Sequence, residues 1–188
     1  MDAILRCWDV NFAGCAPIGS RLRMAFPERW VRFHCLPESK RYAESETELA
    51  TAVRRYDALL DDLNGSRQDV VLITTGYSDS AEPVRSYPML REIDAAAAPW
   101  RTLRVEDADP VCWHFYASTH RWPPTHLNAL LRLVAQDELA NILIVAQDCS
   151  WVFYPYQGGM DVIAASVLRR DALAQSHAEW IPAGIDGL

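Results

Sequence analysis

The sequence predicts an α+β fold: one mixed, largely antiparallel sheet of about five to seven strands with three or more helices packed on it. Three observations lead there. Asn141 to Ile163 (NILIVAQDCSWVFYPYQGGMDVI) reads as strands joined by tight turns, because apolar, aromatic and β-branched runs alternate with turn residues. Ser45 to Leu63 reads as a capped amphipathic helix, with Leu49, Val53, Tyr56, Leu60 and Leu63 recurring at helical spacing. Asp69 to Thr75 (DVVLITT) and Val111 to Ala117 (VCWHFYA) are further β-rich runs. Long connections early in the chain and a tight hairpin late in it suit one sheet covered by helices.

In chain order, Ile4, Leu5, Trp8 and Phe12 recur at helical spacing until Gly14, Pro17 and Gly19 break the pattern. Arg21 to Ala25 suits a short helical turn stopped by Pro27. Arg29 to Leu36 is expected as a strand with Val31, Phe33 and Cys35 on its core face, which puts Arg32 and His34 together on the other. After the polar loop PESKRY, Ser45-Glu46-Thr47-Glu48 has the form of a capping box, and Asn64-Gly65 closes the helix. Met89 to Ala98 has weak helical character, with Pro99 expected to stop it. Trp100 to Val105 alternates as a strand. Thr125 is expected to cap a helix whose apolar stripe is Leu127, Leu130, Leu131 and Val134. A last helix is expected from Arg170 or Asp171, with Leu173, His177 and Trp180 on one face and Pro182 at its end. No repeat and no Gly-, Ser- or Pro-rich linker divides the chain, so it is expected as one domain over 1–188, in which 1–28 can be a loosely attached segment.

Half of the 188 residues are apolar and seven are Trp, which excludes a disordered chain. Net charge is −7, so general nucleic-acid binding is not expected. Lys40 is the only lysine, as a GC-rich coding bias would give. The five cysteines, Cys7, Cys15, Cys35, Cys112 and Cys149, are odd in number and form no C-x-x-C pair, which reads as reduced thiols in a cytoplasmic protein. No signal peptide and no membrane span are expected.

Three constellations could carry chemistry. Arg32 and His34 share a strand face, and Lys40 and Arg41 follow in the loop; such a group could hold a carboxylate or phosphate. The ordinary alternative is a solvated strand face. Pro155 to Val162 (PYQGGMDV) offers a double glycine followed by Asp161, either a close backbone approach to an anion or simply a hairpin turn needing positive φ. It lacks a nucleotide-loop pattern. His114, His120 and His126 are spaced by six, which fits no metal-ligand pattern, so no metal and no cofactor are expected. No nucleophile–base pair is evident: Cys35 faces away from His34, and Cys149 lies beside Asp148, which discourages a thiolate.

WVRFHCLPESKRYAESETE (Trp30 to Glu48) and WVFYPYQGGMDVIAASVLRRDAL (Trp151 to Leu173), closed by HAEWIPAGIDGL, resemble an uncharacterised family of small bacterial cytoplasmic proteins, a domain of unknown function. The family is typified by R-F-x-L-P near the start and P-Y-x-G-G-x-D-V near the end, with an acid usual where Gln157 stands. The resemblance implies no activity. By analogy of class, small acidic families of this kind occur as antitoxin or immunity proteins.

The leading expectation is therefore a non-enzymatic module that neutralises a basic protein partner. Its contact faces would be the acidic helix face (Asp57, Asp61, Asp62) and the aromatic hairpin (Trp151, Tyr154, Tyr156). The alternative is an enzyme or small-ligand binder with an anion site made by Arg32, His34, Lys40, Arg41 and Asp161. It requires Arg29 to Tyr42 and the Gly158-Gly159 turn to meet around one pocket. A structural or regulatory subunit is the third reading.

Overall fold

A computed structural model describes residues 2–65, 68–105, 111–124 and 126–181. Seven strands form one sheet: β1 (Trp30–His34), β2 (Val70–Ser78), β3 (Ala98–Val105), β4 (Val111–His120), β5 (Leu143–Ala146), β6 (Val152–Tyr156) and β7 (Gly159–Ile163). Their spatial order is β1-β7-β6-β5-β2-β4-β3, and every neighbouring pair is antiparallel. The Asn141-to-Ile163 stretch supplies the β5-β6-β7 meander. The long connections carry the chain to β1 at one edge and to β2, which lies between β5 and β4.

Helices cover both faces. On the first face lie α3 (Glu46–Leu63), α5 (Leu127–Ala135) and α6 (Val167–Ser176). Tyr56, Leu59 and Leu60 of α3 and Leu130, Leu131 and Val134 of α5 are fully buried against Phe33, Leu72, Ile144, Phe153, Met160 and Val162 of the sheet. On the second face, α1 (Asp2–Asn11), the residue after it and α2 (Gly19–Ala25) contribute Trp8, Phe12 and Leu22 to a core with Val71, Ile73, Phe115, Val145 and Val152. The N-terminal segment thus brings fully buried aromatic rings into the sheet's second face. The short α4 (Leu90–Ile93) sits between β2 and β3.

Local chemistry explains the element ends, and it also explains where they differ from expectation. Ser45 caps α3, its hydroxyl accepting from the Glu48 N–H at 3.3 Å. Glu48 reaches one residue further back than a capping box requires, accepting the Glu44 N–H at 2.7 Å. The buried stripe of α3 includes Ala52 and Leu59, while Val53 stands half-buried beside Ala129 of α5. Pro99 does not stop a helix; it lies in β3, an edge strand, at a shift of register between Pro99 and Arg101, where a missing N–H costs no ladder bond. The Ala tract therefore turns into β3 after only four helical residues. The last helix begins at Val167 rather than Arg170 because Ser166 caps it, accepting from the Arg169 N–H at 3.2 Å. His177 and Trp180 lie beyond its end, stacked at 4.2 Å. Pro155 and Tyr156 belong to β6, so the reversal itself is the two-residue Gln157-Gly158. The expected Thr125 cap and the end at Pro182 lie outside the described residues.

The packing gives a direct test. Leu60 is fully buried at the α3–sheet contact, whereas Leu168 on α6 is 81% exposed. Leu60→Ala is expected to lower unfolding stability by about 3 kcal/mol in urea titration, through lost transfer energy plus a cavity. Leu168→Ala is expected to stay within about 0.5 kcal/mol.

Candidate functional site

Strand alternation decides what the β1-β7-β6 corner presents. Arg32 is paired with Asp161 across β1 and β7, and Asp161 with Tyr154 across β7 and β6, so all three project from the same face. This is the second face, which α1 and α2 fill with apolar side chains elsewhere. At this corner it carries Arg32, His34, Asp161, Tyr154 and Tyr156 instead.

Arg32 and Asp161 form a two-point ion pair, with Nε donating to Oδ1 at 2.8 Å and Nη2 to Oδ2 at 3.3 Å. Their side chains are 12% and 5% exposed. Tyr156 donates its hydroxyl to Asp161 Oδ1 at 3.1 Å, and Arg23 of α2 stands 3.9 Å from Oδ2. The Arg32 guanidinium lies 5.4 Å from the Trp30 ring centre and 5.7 Å from that of Tyr156, a cation held among aromatic faces. Burial works to lower the Arg32 pKa, but the hydrogen bonds and charge of Asp161 outweigh it and hold it above its ordinary value. Burial, and then the Asp161 charge, push the Tyr154 and Tyr156 phenols up, so both stay protonated. The Tyr154 ring lies against Gly19, leaving no room for a side chain at the start of α2.

Beside this pair a cleft of about 350 Å³ opens, lined by Arg32, His34, Ser39, Arg41, Tyr156 and the Gly158 turn. The segments 29–42 and 158–159 do meet there: the Cys35 N–H donates to the Gly158 carbonyl at 3.2 Å, and His34 lies opposite Gly159. Gly158 has φ +90, and a Cβ on it would come within 3.0 Å of the Arg41 carbonyl. A Cβ on Gly159 would lie 2.7 Å from the Phe33 carbonyl. Both glycines are thus required by the chain packed over the turn. Glu38 and Ser39, both in the left-handed region (φ 56 and 57), swing the loop back over the cleft. His34 is half-buried. Desolvation lowers its pKa, the Gly158 carbonyl opposes this, and Arg32 and Arg55 add to it. Arg41 is exposed and has no acidic partner among the described residues.

Four of the five residues expected at an anion site therefore gather: Arg32, His34 and Arg41 line the cleft, and Asp161 anchors Arg32. Lys40 does not. Its ammonium turns to Glu44 (2.9 Å) and Glu48 (2.7 Å) and belongs to the start of α3. Tyr156 of the aromatic hairpin lines the same cleft, a role its periodicity alone did not signal. Trp151 is 6% exposed and packs in the first core, so it is no surface anchor. Asp61 and Asp62 are exposed on α3, while Asp57 is half-buried beside Asn128 of α5. Asp62 is engaged by His177 Nε2 at 2.7 Å, and Arg169 donates to its backbone carbonyl. Burial, and then the Asp61 charge, push the Asp57 carboxyl up to about 6.

The spaced histidines divide. His114 is fully buried between the hydroxyls of Ser78 (2.7 Å) and Thr102 (3.0 Å). His120 and His126 meet edge to face at 4.6 Å, beside buried Asp94, which accepts from Ser118 at 2.7 Å. Sequence reasoning missed the Asp94–Ser118–His120 group, because only the fold brings Asp94 to β4. Among the described residues no group of His, Cys, Asp and Glu has the geometry to hold a metal. No described helix is long and apolar enough to cross a membrane.

The ion pair sets a clear expectation. Asp161→Leu alone leaves Arg32 charged and partly buried without its two-point carboxylate partner, and is expected to cost about 3 kcal/mol in urea unfolding. The double variant Arg32→Met/Asp161→Leu is expected to recover most of that loss, because no uncompensated charge remains.

The family model described as a domain of unknown function (DUF3885) matches residues 18–183, from just before α2 through the end of the described chain. No curated protein and no solved structure matches the chain. The match takes in the whole sheet and the whole cleft, and the chain belongs to the DUF3885 family.

Proposed function

We propose that the protein binds a small anionic ligand, a carboxylate or phosphate compound, in the cleft formed by Arg32, His34, Arg41, Tyr156 and the Gly158 turn. One observation carries the reading. Arg41 has no acidic partner among the described residues, yet it stands in a cleft with His34 and with Arg32, whose own orientation Asp161 and two rings hold in place. A clamped guanidinium costs little further entropy when a ligand arrives. A planar guanidinium also matches two anionic oxygens better than an ammonium does. The half-buried His34 is neutral near pH 7 and can gain a proton as an anion arrives. The Tyr156 ring supplies an apolar wall.

The test is calorimetric titration with sulfate and a panel of mono- and dicarboxylates. Binding is expected to weaken at least tenfold in Arg41→Ala, with unfolding stability unchanged because Arg41 is exposed. Affinity for sulfate is expected to rise as pH falls below 6.5, because protonated His34 adds a charge, and that rise is expected to vanish in His34→Gln. Equal binding by wild type and Arg41→Ala would remove this reading.

A second reading, a basic protein partner on α3, is favoured by Asp57. Its carboxyl is raised by burial and by Asp61 four residues on, a repulsion that a partner's cation would relieve. The sign follows from linkage. The unfolded Asp57 loses its proton near 3.8 and the folded one near 6, so its contribution makes stability fall between those values. Partial exposure, and an Asn128 amide able to donate to both carboxylate oxygens at 3.2 Å, limit the loss. Asp57→Asn is expected to be about 1 kcal/mol more stable than wild type at pH 7 and equal to it at pH 3.5. Urea unfolding at the two pH values checks this.

A further inference from the structure

At the opposite end of β6 from the Gly158 turn, α1 rests on the β5–β6 connection, 147–150. Two cysteines meet there. Cys7 lies on α1, half-buried, and its thiol donates to the Gln147 carbonyl at 3.7 Å. One turn on, the Asn11 amide donates to the Asp148 carbonyl at 3.4 Å and to the Cys7 carbonyl at 3.1 Å. Cys149 sits between these contacts, in the left-handed region (φ 55), with its side chain fully buried in the second core. Cys7 packs against that same core, so both thiols lie at one contact between α1 and the β5–β6 connection. None of the other three cysteines is so placed. Cys35 lies in the first core, Cys112 lies on β4, and the Cys15 thiol turns to the Ala16 carbonyl at 3.5 Å.

We propose that Cys7 and Cys149 are a redox-modification site, a dithiol that a hydroperoxide converts to a disulfide clamping α1 to the sheet. The partly exposed Cys7 reacts first: its sulfur attacks one peroxide oxygen, the O–O bond breaks, and a sulfenic acid and one alcohol or water form. Cys149 sulfur then attacks the sulfenic sulfur. Its proton joins the departing hydroxide as water, and the S–S bond forms. Two thiols are oxidised by two electrons and one hydroperoxide is reduced. Burial, the neighbouring Cys7 and Asp148 push the Cys149 thiol up, so it remains a protonated resolving group until Cys7 has been oxidised.

The consequence is structural. Residues 2–11 precede the family match at residue 18, yet Trp8 of this helix and Phe12 just after it are fully buried in the second core. A Cys7–Cys149 bond ties that helix covalently to the matched domain, and reduction returns it to noncovalent packing alone.

The test treats the full chain with hydrogen peroxide, blocks remaining thiols with an alkylating agent and counts them by intact mass after denaturation. Two of the five thiols are expected to be lost. A crosslinked peptide containing Cys7 and Cys149 is expected in a non-reducing digest, and dithiothreitol is expected to restore both thiols. The N-terminal segment is expected to resist limited proteolysis more in the oxidised chain than in the reduced one. Cys7→Ser and Cys149→Ala should each abolish the paired loss. Cys7 is only half-buried, so Cys7→Ser decides the matter if Cys149→Ala fails to fold. Full retention of thiols, oxygen addition without a crosslink, or a Cys7–Cys15 peptide would overturn the proposal.

Discussion

The bond between Arg32 and Asp161 holds the edge of the sheet in place. β1 is an edge strand of five residues joined to the sheet only through β7. Backbone pairing alone does not select its register. A slip of one residue would turn Val31 and Phe33 to the second face and send Arg32 into the first core, where no carboxylate is available among the residues of that cluster. The two-point ion pair opposes that slip from one side, while Phe33 in the first core opposes it from the other. What the pair adds to total stability is small, because desolving two charges offsets most of their attraction. Its main effect is specificity: only one register satisfies Arg32, Asp161 and the Tyr156 hydroxyl together. The loop over the cleft, the Gly158 turn and the position of His34 all inherit that register.

The two sheet faces divide the work of folding differently. The first face is apolar under its three helices from β1 to β2, and turns polar only toward β4, where Ser118 and His120 meet buried Asp94. The second grades from an aromatic core under α1 to a charged corner beyond α2. Tyr154 sits at that boundary, its ring against Gly19 and its hydroxyl donating to Asn141 at 3.3 Å. A polar corner on an otherwise buried sheet face stays open because aliphatic packing cannot close over ionised groups at low cost. The cleft is therefore the expected consequence of placing Arg32 and Asp161 where a core residue would otherwise stand.

Much of this was legible in the sequence, for local reasons. Ser45 and Glu48 marked the start of α3, and alternation in VRFHC separated Val31 and Phe33 from Arg32 and His34, because caps and strand periodicity are set by neighbours in the chain. The corner pairing of Arg32 with Asp161 could be grouped but not measured, since 129 residues separate them. Lys40 was misplaced because a cation in a loop gives no sign of where its long side chain turns, and Glu44 and Glu48 are closer to it than the cleft is. Trp151 looked like an interface anchor because composition does not distinguish a buried indole from an exposed one. Pro99 reads as a helix stop only if the Ala tract is helical; once β3 is recognised as an edge strand, the same residue fits its end. Asp94 was invisible, because nothing near it in sequence suggests that Ser118 and His120 await a carboxylate.

The charge of the cleft runs against that of the molecule. The chain carries −7 overall, yet among the described residues three guanidiniums, from Arg23, Arg32 and Arg41, gather around this corner with one carboxylate, Asp161. A carboxylate at position 157 would cancel much of that excess, because this residue lines the same cleft. The neutral amide of Gln157 does not. A small anion inside such a recess would meet mainly the local guanidinium charge, because screening over about 10 Å weakens repulsion from acidic groups farther away, whereas an extended polyanion would also lie close against those acidic groups. Under the proposed anion-binding reading, the cleft would therefore select by size as well as by sign, favouring a compact anion over an extended polyanion.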